Sequence, residues 1–436
     1  MRLDIAKGGT GLVYEIRNIV NVANRLKEYG IEVIWENIGD PIQKGEQIPE
    51  WMKQTLTEIM QDDLSYGYSP TKGMLETRRF LAERTNQRGK IQITPEDIIF
   101  FNGLGDAIAR SYSAIRVDAR IIMPEPTYST HFLAEVLHAS FPPNTYRMNP
   151  YQHWHPDIKE LEQKVKSYRS IVGILVINPD NPTGFVYPEE ALREIVEIAR
   201  KYDLFLIVDE TYHNIVYNGK ETVPLSDIIG DVPGVSLKGI SKEFPWPGSR
   251  CGWMEIYNAD KDERFASYMG AILDQKMSEV CSTTLPQISI PKIMTHPEYQ
   301  GYLNQRLRHY ERFSNLAYEL LKDVPYIMVN KPNGAFYLTV VFNEAVLNGR
   351  QKLKIENPDI RRFIETMVSE STEFDKRFVY YLLGATGICV VPLTSFFTAL
   401  PGFRMTLLSQ DEAQFEYTVR TVAQKVVEYI ESIKLG

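Results

Sequence analysis

The chain has 436 residues, of which 44% are hydrophobic and 24% are charged, as in ordinary globular proteins and unlike disordered or fibrous ones. Its net charge of −8 and the lack of a basic block argue against a nucleic-acid partner, which would need clustered lysine and arginine. The sequence begins without the apolar core of a signal peptide and no run approaches about 18 apolar residues, so we expect a cytoplasmic protein without a membrane partner. The three cysteines are too few and too scattered for a disulfide framework or a zinc site, and no metal is expected: Cys251, Cys281 and Cys389.

The first predicted element is a single helix over residues 12–30, which ends at a glycine. From about residue 71 to 320, short apolar runs alternate with longer amphipathic stretches such as residues 188–203, which start with proline and acidic residues. The runs are rich in β-branched residues and lack period-two alternation, which is typical of strands covered on both faces; they are DIIFF, ARIIM, IVGILVI, LFLIV and GVSLKGI. Strand, helix and strand in this order predict an α/β fold with a mainly parallel, doubly wound sheet.

The two ends of the chain predict a second, smaller unit. After about residue 325 come the strand-like stretches YIMVNKPNGAFYLTVVF, GICVVPLTSFF and FRMTLLS, separated by helices. We expect an N-terminal arm and part of a small α+β domain in residues 1–70, a large α/β domain in 71–325 and the rest of the small domain in 326–436. The charged segment 343–378 is expected at the surface, and no function is assigned to it.

Polar side chains follow the carboxyl ends of the predicted strands, where ligands bind in open parallel sheets. Four successive strand ends deliver Tyr128, Asn181, Asp209 with Tyr212, and Lys242 to one rim. Each residue alone has a plainer interpretation, since Asp209 could cap a following helix and the tyrosines could be ordinary rim aromatics. Their conjunction favours a binding site.

The turn after the earlier strand DIIFF, NGLGDAIAR, leads directly into a helix. A glycine turn at a helix N-terminus presents free backbone N–H groups and a positive dipole end to an anion, typically phosphate. Such turns are common between strands and helices, so this feature alone would not establish phosphate binding.

The motifs YSPTKGMLETRRFLAE, NPDNPTG, VDETY, SKEFPWPGSRCGW and FRMTLL, in this order, resemble the fold-type-I aminotransferases, the class I/II family related to aspartate and alanine aminotransferases. The resemblance extends from IGDP at residues 38–41 to GFRMTLL at 402–408. It implies pyridoxal 5′-phosphate (PLP) as cofactor, bound by the large domain. It also implies a homodimer with shared active sites that moves an amino group between an L-amino acid and a 2-oxo acid in a ping-pong cycle.

Two other functions stay open at this point. Relatives with the same lysine, aspartate and arginine set act as PLP-dependent lyases that cleave C–S or related bonds. A non-catalytic PLP-binding regulator is the third possibility. Such regulators usually carry a DNA-binding region, but only about 37 residues precede IGDP, which we expect to be too few for a helix-turn-helix domain and a linker. The stretch TGICVVP before FRMTLL is similar to alanine aminotransferases and favours a small or neutral substrate.

The resemblance assigns the catalytic roles to residues at the strand ends. Lys242 would bond covalently to the cofactor aldehyde and then, once displaced, carry the proton from the substrate Cα. Asp209 would keep the pyridine nitrogen protonated. Asn181 and Tyr212 would hydrogen-bond the cofactor's phenolic oxygen, and Tyr128 would stack on its ring.

The cofactor phosphate would be held by four residues near the glycine turn. Arg250 matches the family's phosphate ligand, because a guanidinium suits phosphate oxygens. Ser241 and the backbone of Gly105 and Asp106 would complete the binding cup. Two departures from the family stand out: Gly239 replaces a common serine, and Asp106 places an acid near a dianion, so we expect Asp106 to contribute its N–H while its carboxylate turns away or caps its own helix.

The remaining assignments concern the substrate and the partner subunit. Arg404 matches the arginine that binds the substrate α-carboxylate, although a surface ion pair on an edge strand is the plainer interpretation of an isolated arginine there. Gly39 and Asn181 would lie beside that carboxylate. Tyr68 resembles the tyrosine that reaches the phosphate in the neighbouring subunit, which implies a homodimer.

Overall fold

The structure is a computed structural model that describes residues 15–371 and 373–434. The strands in these ranges are β1 Ile34–Trp35, β2 Ile98–Phe101, β3 Arg120–Glu125, β4 Thr145–Asn149, β5 His155–Pro156, β6 Ile171–Ile177, β7 Phe205–Asp209, β8 Gly234–Gly239, β9 Gly252–Tyr257, β10 Ile327–Val329, β11 Tyr337–Phe342, β12 Ile388–Cys389, β13 Val391–Pro392 and β14 Gly402–Thr406. The helices are α1 Glu15–Lys27, α2 Glu50–Ile59, α3 Leu75–Asn86, α4 Leu104–Ser113, α5 Ser129–Ala139, α6 Ile158–Ser167, α7 Glu189–Tyr202, α8 Leu225–Ile228, α9 Ile240–Glu243, α10 Glu263–Met277, α11 Thr284–Met294, α12 Tyr299–Leu321, α13 Pro358–Ser369, α14 Phe374–Thr386 and α15 Glu412–Glu431.

A sheet of eight strands forms the larger unit, in the order β2-β9-β8-β7-β6-β3-β4-β5. The pairs β8–β7, β7–β6, β6–β3 and β3–β4 are parallel. Strand β9 was not foreseen from the sequence; it lies antiparallel between β2 and β8. Because β2 therefore runs in the same direction as β8, the ends of all five predicted strands meet at one edge. The predicted mainly parallel α/β sheet is confirmed.

Alternate residues of β2, β3, β6, β7 and β9 enter cores on opposite faces of this sheet. Ile98 and Phe100 belong to one core, whereas Ile99 and Phe101 belong to the other. On the first face, α7 buries Leu192, Ile195 and Val196, each burial being worth about 1.5–3 kcal/mol. Helices α4 and α10 cover the second face. Burial on both faces explains why these strands lack polar alternation.

The smaller unit is built from both ends of the chain, as predicted. Strands β10, β11, β14 and β13 form an antiparallel sheet in that order, and β1 pairs with β12 in parallel. Helix α1 contributes Ile19, Val22 and Leu26 to the same core as Val419 and Val422 of α15. The domain limits at residues 70 and 325 stay a prediction, and residues 12–14 of the predicted first helix lie outside the described residues.

The charged segment 343–378 is at the surface only in part. Helix α13 is amphipathic, with Ile360, Ile364 and Val368 buried. Asp375 is fully buried and accepts hydrogen bonds from the N–H groups of Thr394 and Gly402, at 3.0 and 3.2 Å. Burial raises the pKa of this carboxyl to about 6. Part of the segment therefore belongs to the core, although its many charged residues had predicted a surface position.

None of the helices in the described ranges is both long enough and apolar enough to cross a lipid bilayer.

Candidate active site

A cavity of about 690 Å³ lies at the sheet edge where the predicted strand ends meet. Ten of the twelve predicted site residues line it: Gly39, Gly105, Tyr128, Asn181, Asp209, Tyr212, Ser241, Lys242, Arg250 and Arg404. Asp106 and Tyr68 do not line it. The cavity brings together residues from both chain ends and from five strand ends, so the tertiary fold is needed to assemble it.

Lys242 lies on the single-turn helix α9, directly after β8. Its Nζ donates a hydrogen bond to the carbonyl oxygen of Gly39 at 2.7 Å. Burial lowers the pKa of the Lys242 amine to about 8; Asp40 opposes this shift, whereas Arg404 and Arg250 add to it. A large fraction of the amine is therefore neutral near pH 8, as a nucleophilic lysine requires.

Asp209, the last residue of β7, is only 4% exposed. Its Oδ1 accepts hydrogen bonds from the backbone N–H and the hydroxyl of Thr211, at 3.0 and 2.6 Å. Its Oδ2 lies 3.2 Å from Nε2 of His131, a fully buried residue. A turn follows β7, so Asp209 caps no helix and its carboxylate is instead held at the edge of the cavity.

His131 was not identified from the sequence. It lies in the first turn of α5, three residues after Tyr128, and the two rings meet edge to face with centroids 6.4 Å apart. Its second ring nitrogen is 3.4 Å from the hydroxyl of Tyr112. The i, i+3 spacing from Tyr128 was the available signal, because residues three apart share a helix face.

Arg404 is buried, with 3% exposure, on β14, which lies between β11 and β13. This position excludes the surface ion pair on an edge strand. Its Nη1 donates to Oδ1 of Asn181 at 3.1 Å, and its Nη2 donates to the carbonyl of Asn37 at 2.8 Å. The guanidinium is 4.3 Å from the centroid of the Tyr337 ring. A buried guanidinium at the cavity wall is suited to bind a carboxylate.

Tyr337 is a second residue that the sequence did not indicate. Its hydroxyl is 2.9 Å from the hydroxyl of Tyr212. A Cβ atom on Gly39 would lie 2.2 Å from the same Tyr337 oxygen, so any side chain there would have to displace the Tyr337 ring. Burial raises the pKa of Tyr212 well above its usual range, and the phenol stays protonated as a hydrogen-bond donor.

The opposite end of the cavity is arranged for an anion. Arg250 lies against the turn before α4, and its Nη2 is 3.5 Å from the carbonyl oxygen of Asn102. Gly103 has a φ of +81°, and a Cβ there would lie 2.4 Å from the Arg250 guanidinium. The ten-residue helix α4 starts at Leu104, so its N-terminus and the guanidinium flank the same space. The N–H of Asp106 donates to the Gly103 carbonyl at 3.2 Å.

Asp106 turns its carboxylate away from that space. Oδ2 accepts from the N–H of Asn102 at 3.2 Å, and Oδ1 accepts from Nε of Arg110 at 2.8 Å. The carboxylate thus bonds the residue before the N-cap of α4 and an arginine of the same helix, and the N-cap residue itself, Gly103, has no side chain to bond the helix. At Gly239, a Cβ would lie 3.1 Å from the carbonyl oxygen of Cys251, so a side chain at this position would be crowded.

Tyr68 lies at the surface, 86% exposed, and contributes nothing to the cavity of its own chain. Within residues 15–371 and 373–434, no group of three or more His, Cys, Asp or Glu residues is arranged to hold a metal ion.

Comparison with known proteins agrees with this geometry. The family model for aminotransferase class I and II matches residues 31–422. An uncharacterised aminotransferase of Methanocaldococcus jannaschii is 56% identical over 98% of both chains. The glutamate-pyruvate aminotransferase AlaA of Escherichia coli is 30% identical over 74% of this chain and 79% of its own.

A solved structure, the alanine aminotransferase of Pyrococcus furiosus, has a TM-score of 0.83 and 26% identity over 98% of this chain and 100% of its own. Members of the matching family depend on PLP. The comparisons, the sheet topology and the composition of the cavity agree, and nothing in them favours a lyase. The chain belongs to the aminotransferase class I and II family, and it is a transaminase.

Proposed function

We propose that the chain binds PLP in the cavity defined above and transfers amino groups in a ping-pong cycle, with Lys242 as the residue that bonds the cofactor. The observation that carries this proposal is the Lys242 amine, with its lowered pKa, in one cavity with the Asp209 carboxylate and the Arg250 guanidinium. These are an amine, an anion for a ring nitrogen and a cation for a phosphate, which fit the functional groups of PLP.

Bound PLP supplies an electron sink that stabilises negative charge developing at the substrate Cα. In the proposed mechanism, the substrate's amino group displaces Lys242 from the cofactor, and the freed Lys242 amine would then move the proton away from Cα. Asp209, held by Thr211 and His131, would keep a proton on the ring nitrogen. Arg404 binds and orients the α-carboxylate, beside Asn181 and Gly39. Tyr212 and Asn181 would hydrogen-bond the phenolic oxygen of PLP, and Tyr128 would stack on its ring.

Phosphate binding is proposed for Arg250, Ser241 and the N–H groups of Gly105 and Asp106. The Asp106 carboxylate is compatible with phosphate binding nearby, because its negative charge is paired with Arg110.

We propose alanine and pyruvate as one substrate pair and glutamate and 2-oxoglutarate as the other. The names of the Escherichia coli and Pyrococcus furiosus relatives support this choice. Among the described residues, the lysines and arginines that line the cavity are Lys242, Arg250 and Arg404, all assigned above. Val20 and Ile38 also line it, which suits a small apolar side chain.

A homodimer is proposed from an exposed apolar patch formed by Leu64, Tyr66, Tyr68, Met277 and Val280, each more than half exposed. Two hydrogen bonds hold its two chain segments side by side, from Ser69 Oγ to the Ser282 carbonyl (3.1 Å) and from Thr284 Oγ1 to the Gly67 carbonyl (2.7 Å). Contiguous exposed apolar surface of this kind marks interaction sites. Tyr68 in this patch would reach the partner's phosphate site. Soluble amino and 2-oxo acids as substrates fit the expected cytoplasmic location.

Substitution of Lys242 tests the proposed function. Lys242→Ala should abolish turnover and the near-visible absorbance of bound PLP, while Lys53→Ala, an exposed lysine on α2, should change neither. Borohydride reduction followed by peptide mass spectrometry should place PLP on Lys242 in the wild type. The natural amino acids would be screened for amino-group transfer to 2-oxoglutarate and to pyruvate. In parallel, reactions without an acceptor would be assayed for released pyruvate or ammonia, the products of a lyase. PLP on another lysine, or release without transfer, would refute the proposal.

A further inference from the structure

Arg306 lies in the middle of α12 with 5% exposure, outside the cavity. Its Nη1 donates hydrogen bonds to the backbone carbonyls of Lys242 and Glu243, at 2.9 and 2.8 Å. These two residues end the single-turn helix α9, where carbonyls lack partners within the helix. The guanidinium therefore caps the helix that carries Lys242 and places a cation at the negative end of its dipole.

The other side of the same guanidinium pairs with Glu46. Arg306 Nε donates to Oε1 of Glu46 and Nη2 donates to Oε2 at 3.3 Å. Tyr302 donates its hydroxyl to Oε1 at 3.0 Å, and Arg306 Nη2 also bonds the hydroxyl of Tyr310 at 2.8 Å. The two charged side chains are only 4% and 11% exposed. A buried ion pair survives desolvation only when its remaining groups are hydrogen-bonded, as they are here.

Glu46 ends the hydrogen-bonded turn that begins at Asp40, and Gly39, whose carbonyl accepts the hydrogen bond from Lys242 Nζ, directly precedes that turn. Within this turn the N–H of Glu46 donates to the carbonyl of Pro41 at 2.9 Å, and the N–H of Lys44 donates to that of Asp40 at 3.2 Å. Lys242 is thus connected to residues 39–46 twice: its amine bonds the Gly39 carbonyl, and its backbone carbonyl bonds Arg306, which pairs with Glu46.

We infer that the Arg306–Glu46 ion pair is a positioning device for the Lys242 amine, an inference that rests on the proposed role of Lys242 as the PLP-bonding residue. Arg306 bonds the end of α9, and Glu46 links that guanidinium to the turn that follows Gly39. The pair thereby sets where Nζ lies in the cavity. Arg306 and Glu46 act through Lys242 and do not line the cavity.

The test compares Arg306→Met, Arg306→Lys and Glu46→Gln with the wild type. Methionine has a similar apolar length but donates no hydrogen bond, and lysine keeps the charge without the fork that reaches both carbonyls and the carboxylate. Arg312→Met is the matched control, since Arg312 lies on the same helix and pairs with Glu412 at 3.1 Å on the exposed surface. Glu46→Gln replaces a carboxylate by an amide of equal size, and it tests the same ion pair if Arg306→Met fails to fold.

The first readout is the pH profile of Lys242 acylation by an amine-directed reagent in the full-length chain freed of PLP, followed by peptide mass spectrometry. The amine reacts when neutral, so the rate should rise with pH and level off above its pKa, about 8 in the wild type. The charged and titratable side chains that line the cavity around it are Asp40, Tyr128, Asp209, Tyr212, Arg250, Tyr337 and Arg404. In Arg306→Met the displaced amine gains water, and the midpoint should rise by about one pH unit or more.

The second readout is the steady-state kinetics of the PLP-loaded enzyme. A displacement near 1 Å can reduce a rate by about 100-fold, so kcat should fall between about tenfold and 100-fold in Arg306→Met. The amino-acid KM should stay within about threefold, because the Arg404 carboxylate site is untouched. Arg306→Lys should recover only part of the loss, and Arg312→Met should match the wild type.

If both the acylation midpoint and kcat of Arg306→Met and Glu46→Gln match the wild type while only thermal stability falls, the pair is merely structural and the inference is wrong. Location of PLP on a lysine other than Lys242 in the wild type would overturn the proposed function and the inference with it. That outcome is recognised from the wild-type mass spectrum before any variant is compared.

Discussion

At the residue scale, the carboxylate of Asp209 is held from two sides. Thr211 donates two hydrogen bonds to Oδ1, and His131 lies against Oδ2 from a neighbouring helix. A carboxylate fixed in this way has little freedom to move away from a bound ring nitrogen, and preorganised charge of this kind is a major source of rate enhancement. His131 is therefore a candidate for orienting Asp209, which the sequence alone did not suggest.

Asp209→Ala should retain bound PLP, because the lysine bond and the phosphate contacts remain. The rate of Cα-proton abstraction should fall by about two orders of magnitude or more, since the ring nitrogen loses the anion that keeps it protonated. Loss of the α-deuterium from a deuterated amino acid, followed by NMR, measures this rate directly. An exchange rate equal to that of the wild type would remove the assigned role of Asp209.

At the element scale, β14 determines where a substrate carboxylate would be held. The strand is paired on both edges, with Arg404 opposite Thr339 on β11 and Val391 on β13. Because the backbone is fixed by two neighbours, the guanidinium is held by its strand as well as by Asn181 and Asn37. Strand β9 has a similar role at the other end, since it brings Arg250 beside the turn after β2.

Arg404→Ala should weaken binding of every substrate that carries an α-carboxylate. The loss should be at least about 1.5–3 kcal/mol, the usual value for hydrogen bonds to a charged group, which corresponds to roughly a tenfold to 100-fold weaker Kd. Titration of the PLP-loaded variant with several amino acids and their 2-oxo acids would measure it. If amines without a carboxylate serve the wild type equally well, Arg404 is misassigned.

At the scale of the whole molecule, the two chain ends and the large sheet together enclose one cavity, and one exposed apolar patch lies outside it. The patch contains Tyr68, the predicted site residue that contacts nothing in the cavity of its own chain. A complete active site would then need the second subunit, so assembly and activity would be linked.

Leu64→Asp combined with Val280→Asp places two charges in the patch and should shift the chain toward monomers. Sedimentation velocity at several concentrations would show the change in mass, and the affinity for PLP should fall in parallel because Tyr68 no longer reaches the partner. Val117→Asp is the control, since Val117 is an apolar residue 65% exposed elsewhere on the surface. A monomeric wild type with full PLP affinity would contradict the shared site.

Much of the sheet and part of the site could be predicted locally. Asn181, Asp209 and Lys242 follow apolar runs that are buried on both faces, and parallel strands end at one edge, so adjacency in sequence was enough to group them. The glycine turn at Gly105 was found locally as a possible anion site, whereas Arg404, Gly39, Arg250 and Ser241 were reached only through the resemblance to a family. The antiparallel strand β9 and the buried Asp375 were not foreseen, because neither has a distinctive local pattern.

The sequence by itself determined the α/β architecture and the order of the strand ends, and its family motifs predicted Lys242, Asp209, Arg250 and Arg404 as site residues. The tertiary structure alone decided which distant residues support that set. Tyr337 packs against Gly39, His131 lies against Asp209, and Arg306 with Glu46 holds the helix of Lys242. These contacts join residues far apart in the chain. The supporting residues do not stand out in their own segments of the sequence, so local patterns did not identify them. Only packing, which depends on the path of the whole backbone, gives them a role in the site.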